Sequence, residues 1–253
     1  MHLILTGATG LVGSAVLEAM IKAADVTQIT VLSRRPVPLA DAARSPKVRV
    51  LLHRDFAAYD DPDLLARLRG ASGCVWALGV SQTKVARDEY VKITKDYALA
   101  AATAFSGLGG GDPPFRFVYV SGEGATQTPG RFSAVFARVK GETESALADL
   151  AAGSGGALRA DSVRPAFVDA AGHEAIRPYI PDPGLLYRAT AAVLSPVVRA
   201  GMQGSHSPTP MLGSFLTQMA TGRKDGGLEA TGAFRLGSSW IVPNVAIRKS
   251  MGL

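Results

Sequence analysis

The chain has a single cysteine, Cys74, which excludes an intrachain disulfide and a thiolate-only metal cluster within the chain. Its four histidines, His2, His53, His173 and His206, are dispersed and share no ligand spacing with Asp or Glu, so no metal site is expected. Long apolar runs are also missing: a charge, Gly or Pro interrupts every stretch before the ~20 residues that a spanning helix needs. No membrane span is expected, in spite of a mean hydropathy of +0.16. The net charge of +6 is scattered and forms no basic run, which leaves nucleic acid without a footprint. No G-x-S-x-G elbow occurs, which disfavours a Ser-His-Asp hydrolase. The opening MHLILTGATG carries neither a basic n-region nor a small-residue cleavage site, and predicts a cytoplasmic protein with no secretion signal.

What is present is a globular composition. Hydrophobic residues make up 47% of 253, enough to bury a sizeable core and too many for global disorder. Short apolar runs at 2–5, 29–32, 48–52, 73–78, 115–120 and 160–163 read as buried parallel strands. Between them, residues 11–24, 62–69, 88–105 and 132–152 place apolar side chains at three- and four-residue spacing and read as helices. Strand alternating with helix predicts a Rossmann-like, doubly wound α/β sheet with helices on both faces. We expect one domain over 1–253, with a cofactor-binding core at 1–168 and a substrate-cap segment at 169–253. That last part is rich in Pro and Gly and carries helical signals near 185–199 and 214–221 and one late strand over 234–242.

Residues 6–13 read T-G-A-T-G-L-V-G between a strand and a helix. Gly7 permits the tight turn, Gly10 lets a pyrophosphate approach the backbone, and Gly13 lets the helix pack on the strand; Ala8, Thr9 and Leu11 complete the cradle at the helix N-terminus. An unliganded glycine turn is the weaker reading, because three such glycines each cost backbone entropy. After the second strand come Ser33, Arg34 and Arg35, where an acidic residue would select NAD; a hydroxyl and two guanidiniums suit a 2′-phosphate and predict NADP(H). Asp55 and Phe56, after the third strand, are placed beside the adenine, with Asp55 accepting from the exocyclic amine, although Asp after a strand is also an ordinary helix cap.

These motifs, together with ALG at 77–79, YVSGEGA at 119–125, VKGETE at 139–144 and RPAFV at 164–168, resemble the atypical short-chain dehydrogenase/reductases. The particular likeness is to the NAD(P)H-binding group that includes the Tat-interacting-protein-like and NmrA-like proteins. The resemblance covers about residues 1–168 and implies cofactor contacts at Ala77, Leu78, Gly79, Pro165, Phe167 and Val168. It also implies a Tyr-x-x-x-Lys pair on one helix face, in which Lys binds the ribose and lowers the Tyr pKa. Here Lys140 is present but Phe136 stands in the tyrosine position, and a phenyl ring has no proton to give. Ser121 retains one hydroxyl, while Glu123 occupies the position implied for the catalytic hydroxyl.

Three readings stay open. The first is a reductase of an organic small molecule in which Glu123, Tyr90, Tyr97 or Tyr179 supplies the proton. The second is a redox-neutral isomerase, cyclase or dehydratase with a structural cofactor and Glu123 as acid/base; Glu123 as a solvated strand-end charge or a partner of Arg131 is its bland counterpart. The third is a regulator that binds NADP(H) and signals to a protein partner. Cys74 reads as core, Trp76 and Trp240 as core or pocket wall, and His206 as an exposed loop residue. Helix 97–105 and one face of 132–148 read as packing surfaces, among which a homodimer contact is a candidate.

Overall fold

A computed structural model describes residues 1–109, 111–182 and 201–253. An eight-stranded sheet runs in the order β3-β2-β1-β4-β5-β6-β10-β9. Its strands are β1 (His2–Thr6), β2 (Gln28–Ser33), β3 (Val48–Leu52), β4 (Ala71–Trp76), β5 (Phe115–Val120), β6 (Leu158–Arg164), β9 (Phe234–Leu236) and β10 (Ser239–Pro243). All pairs are parallel except the β9–β10 hairpin, and the doubly wound Rossmann-like architecture expected from sequence is the one observed.

Both faces of the sheet are buried, as continuous apolar strands require. Along β1, Leu3 and Leu5 enter one core with Val16, Met20 and Phe215, and Ile4 enters the other with Trp76, Phe105 and Phe117. That alternation is the period-2 signature of a strand covered on both sides. The helices on these faces are α1 (Leu11–Lys22), α2 (Pro38–Ala43), α3 (Pro62–Leu68), α4 (Arg87–Val91), α5 (Tyr97–Ser106), α6 (Val135–Gly153), α7 (Thr209–Thr221) and α8 (Asn244–Ser250). Among the described residues, no helix is long and apolar enough to cross a membrane.

Three expectations need correction. The stretch 88–105 is not one regular helix: a π-helical turn, Lys92–Asp96, separates α4 from α5. The single late strand is a hairpin that turns at Gly237, where φ is +59°. Residues 169–253 are not merely a cap, because β10 extends the sheet beyond β6 and α7 lies against α1 and β4. A Cβ on Gly213 of α7 would sit 2.4 Å from the Ala15 carbonyl oxygen, and one on Gly73 of β4 would sit 2.7 Å from the Ala220 carbonyl. Both glycines therefore serve backbone-to-backbone packing of a structural layer. The helix expected near 185–199 lies outside the described residues.

A small parallel sheet, β7 (Phe167–Asp169) with β8 (His206–Pro208), stands beside the C-terminal end of β6. Asn244 ties this region together: its side chain donates to the Gly204 and His206 carbonyls and accepts from the Ser207 hydroxyl. His206 is not an exposed loop residue; its Nε2 lies 2.9 Å from Asp169 Oδ2. Cys74, Trp76 and Trp240 are core residues.

Candidate cofactor and active site

The turn between β1 and α1 is built on close backbone approach. Gly7 has φ +71°, and a Cβ there would lie 2.3 Å from the Ala77 carbonyl oxygen at the end of β4. A Cβ on Gly13 would lie 2.1 Å from the Gly7 carbonyl oxygen. Gly10 caps α1 without a side-chain acceptor, so the first N–H groups of the helix are open to an anion. They border a groove at the switch point between β1 and β4, where doubly wound sheets bind ligands.

The groove has two lobes that share Gly10, Ala77, Leu78 and Gly79. The smaller, about 380 Å³, is lined by Gly7, Thr9, Ser33, Arg34, Arg35 and Phe56. Ser33 donates its hydroxyl to the Arg35 carbonyl at 2.7 Å, and the Arg35 guanidinium reaches Thr9 Oγ1 at 3.3 Å. Two cations and a helix N-terminus in one lobe fit the phosphates of a dinucleotide. Asp55 does not line this lobe: it is exposed and its carboxylate accepts from the Ala57 N–H, capping a turn and not a helix. Ala8 and Gly13 lie buried behind the turn, and Phe167 is off the wall on β7.

The larger lobe, about 530 Å³, is bordered by Leu11, Ser121, Glu123, Lys140, Pro165 and Val168, all singled out from sequence. Thr94, Tyr119 and Ala166 also line it. Thr94 belongs to the π-helical turn, and its carbonyl accepts from the Tyr119 hydroxyl at 3.3 Å. Hydrophobic periodicity gives no signal for such a turn, which is why Thr94 escaped the sequence reading, while Tyr119 entered it only as the first residue of the YVSGEGA motif.

Lys140 projects from α6, and its Nζ donates to the Ser121 carbonyl at 2.5 Å and the Val120 carbonyl at 3.4 Å. Burial pulls its pKa down to about 8, opposed by the nearby Glu144 carboxylate. Glu144 itself is held by Arg164 in a bidentate pair and by Gln127. A depressed lysine pKa means that the unfolded chain holds a proton the folded chain has lost between about pH 8 and the ordinary 10.5. Lys140 therefore contributes a stability that rises with pH across that window, set against the opposite contribution of the buried Cys74 thiol, whose pKa burial raises. Urea denaturation at the two ends of the window is expected to show a change of stability with pH that is more positive in the wild type than in Lys140→Met; equal slopes in the two proteins would refute the assignment.

Glu123 does not have the apolar enclosure expected of an acid/base carboxyl. It is exposed, and its Oε2 accepts from the Asn244 N–H at 3.1 Å, at the start of α8. Arg131 makes no hydrogen bond or ion pair with it. Tyr90, Tyr97 and Tyr179 do not line the lobe: Tyr90 is buried with its pKa raised by desolvation, Tyr97 packs beside Phe56, and Tyr179 packs on the α1 core. The Phe136 ring lies near Gly124, and its N–H donates to Gln82 Oε1 at 2.8 Å. The Ser121 hydroxyl is buried and has no hydrogen-bond partner among the described residues.

No family model matches the chain. It is 46% identical over 157 residues to botcinic acid biosynthesis cluster B protein 16 of Botryotinia fuckeliana, a match covering 62% of this chain and 99% of that protein. The chain belongs to the same family as that cluster protein. A further relative, leucinostatins biosynthesis cluster protein T of Purpureocillium lilacinum, is 36% identical over 216 residues, covering 79% of this chain and 77% of the relative. The fold of this family member is that of the short-chain dehydrogenase/reductases. A Burkholderia thailandensis oxidoreductase of that class superposes with a TM-score of 0.65 at 15% identity, covering 96% of this chain and 90% of the other. The PhqB reductase domain of Penicillium fellutanum gives a TM-score of 0.62 at 16% identity over 87% of this chain. The chain spans 64% of that reductase domain structure, less than two thirds of its length.

Proposed function

We propose that the chain is an NADP(H)-dependent reductase of the short-chain dehydrogenase/reductase type. The observation that carries this reading is one groove running from Arg34 and Arg35, past the open N-terminus of α1, to Lys140 and Pro165. Arg34, Arg35 and Thr9 would hold the 2′-phosphate end, the α1 N-terminus the pyrophosphate, and Lys140 with the Pro165–Val168 segment the nicotinamide ribose and ring. When bound, the reduced nicotinamide supplies two electrons and a hydrogen to an electrophilic carbon. The protein's part is to orient that carbon, exclude water with Leu78, Val80, Val120 and Val168, and supply a proton to the developing oxyanion.

The substrate is read as an uncharged or weakly charged organic molecule, since the larger lobe is mainly apolar in lining and offers one cation and one exposed carboxylate. The names of the two relatives support an origin in secondary metabolism. A cytoplasmic enzyme is consistent with a soluble nicotinamide pool. The exposure of Glu123 and its bond to Asn244 weigh against the redox-neutral reading that made it the acid/base.

The test is transfer of label from stereospecifically deuterated NADPH to a product, across aldehydes, ketones and quinones. Deuterium in a product from one face of the ring is the expected result. A protein that binds no NADPH, or forms product when loaded only with NADP⁺, would sink the proposal.

A further inference from the structure

A reductase with this groove needs a proton donor, and the larger lobe offers few. Among the described residues, its titratable wall groups are Tyr119, Glu123 and Lys140. The Tyr119 hydroxyl is committed to the Thr94 carbonyl, and its burial raises its pKa. Glu123 is exposed and engaged with the α8 backbone. Lys140 remains. Its ammonium has three donors, of which the Ser121 and Val120 carbonyls accept two, so one N–H has no acceptor among the described residues.

Among the described residues, the charged and titratable groups around Lys140 come from α6, β5, β6 and the loop after β5. On its own helix Glu144 lies one turn onward, locked to Arg164 of β6; the loop after β5 contributes Glu123, and β5 contributes Tyr119. None makes a recorded ion pair with the ammonium. It is a cation held by carbonyl dipoles, and its pKa of about 8 is matched to delivering a proton near neutral pH.

We propose that Lys140 is itself the catalytic proton donor of this site, filling the role that the phenyl ring of Phe136 cannot. The role rests on the reductase reading above. In the step, the Nζ–H bond breaks as an O–H bond forms on the substrate oxygen, and the N–H electron pair stays on nitrogen. The carbon receives its two electrons and hydrogen from the dinucleotide named above, and the neutral amine recovers a proton from water at the open mouth of the lobe. Charge and protons balance without another reactant.

The experiment uses the full chain labelled with [¹³C]lysine, following the Lys140 Cε resonance against pH with and without NADP⁺. Lys140→Arg assigns the signal, and it keeps a positive charge that does not dissociate in this range. NADPH affinity is read by fluorescence, and NADPH oxidation is followed with aldehydes, ketones and quinones. The expected results are a Lys140 midpoint near pH 8, well below the ordinary 10.5, and a wild-type rate that falls above that midpoint. Lys140→Arg should still bind NADPH but turn over about 100-fold more slowly. A Lys140 that stays protonated to the ordinary lysine value overturns the inference, as does an Arg variant that works like the wild type. Both wild-type readouts stand even if the variant folds poorly. Failure of the wild type to bind NADPH, or to oxidise it with any of these compounds, instead refutes the reductase reading, and the donor role with it.

Discussion

Glu144→Ala is expected to cost about 3–5 kcal/mol of folding stability, the cost of leaving a buried charge without its partner. The Glu144 side chain is 0% exposed and that of Arg164 10%, so solvent cannot replace the lost carboxylate. Arg164 Nε reaches Oε1 at 2.8 Å and its terminal nitrogen reaches Oε2 at 2.5 Å, a two-point fork that a single water would not reproduce. Gln127 adds a further donor to Oε2 from the β5–α6 loop. Removing both charges at once, as Glu144→Leu with Arg164→Met, should restore most of the loss, since an apolar pair of similar volume avoids the desolvation of two ions. Urea denaturation of the two single variants and the double variant measures the coupling. Equal losses in single and double variants would refute the account. The pair also matters for function, because Arg164 ends β6 immediately before Pro165 of the groove wall.

The parts of the fold that sequence revealed are those with an apolar period. The six strands of the core were placed within two residues at each end, because their runs are covered on both faces and must be continuously apolar. What escaped is where backbone geometry, not side-chain pattern, decides. The helical signal begins at 214, yet residues 209–213 form the first turns of α7: Pro210 lies in the first turn, where its missing N–H costs nothing, and Gly213 is what lets α7 lie against Ala15. The short helices α2 and α8 have too few residues to show a period. Gly141 shows the same limit: a Cβ there would sit 1.8 Å from the Thr126 carbonyl, so the VKG motif encodes the loop crossing over α6 as well as the lysine.

The candidate site divides in the same way. Its glycine turn, the arginines after β2 and Lys140 follow from local order along the chain, and the fold brings them to one groove. The partner of Glu123, the Asn244 N–H, lies 121 residues away and leaves no trace in local order. His206 and Asp169, 37 residues apart, meet for the same reason: pairing of β7 with β8 is a tertiary event with no sequence signal of its own.

Arg34→Ala combined with Arg35→Ala is expected to weaken NADPH binding about 100-fold while changing NADH binding by less than about threefold. Each charge-assisted contact to a phosphate is worth about 1.5–3 kcal/mol when shielded, and both guanidiniums are exposed, so the lower end applies to each. Two contacts near 1.4 kcal/mol multiply to about two decades in affinity. The two side chains should not contribute alike: Arg35 is already steered toward the glycine turn by Thr9 Oγ1, whereas Arg34 makes no side-chain hydrogen bond among the described residues and must be ordered by the ligand. Arg35→Ala alone should therefore cost more than Arg34→Ala alone, because less side-chain entropy opposes its contact. Salt supplies an independent check, since exposed cation–phosphate attraction is screened within about 8–10 Å; raising ionic strength should narrow the wild-type preference for NADPH and leave the double variant almost flat. Fluorescence titration of both cofactors against all four proteins decides the matter, and equal weakening of NADPH and NADH would remove the 2′-phosphate from this lobe.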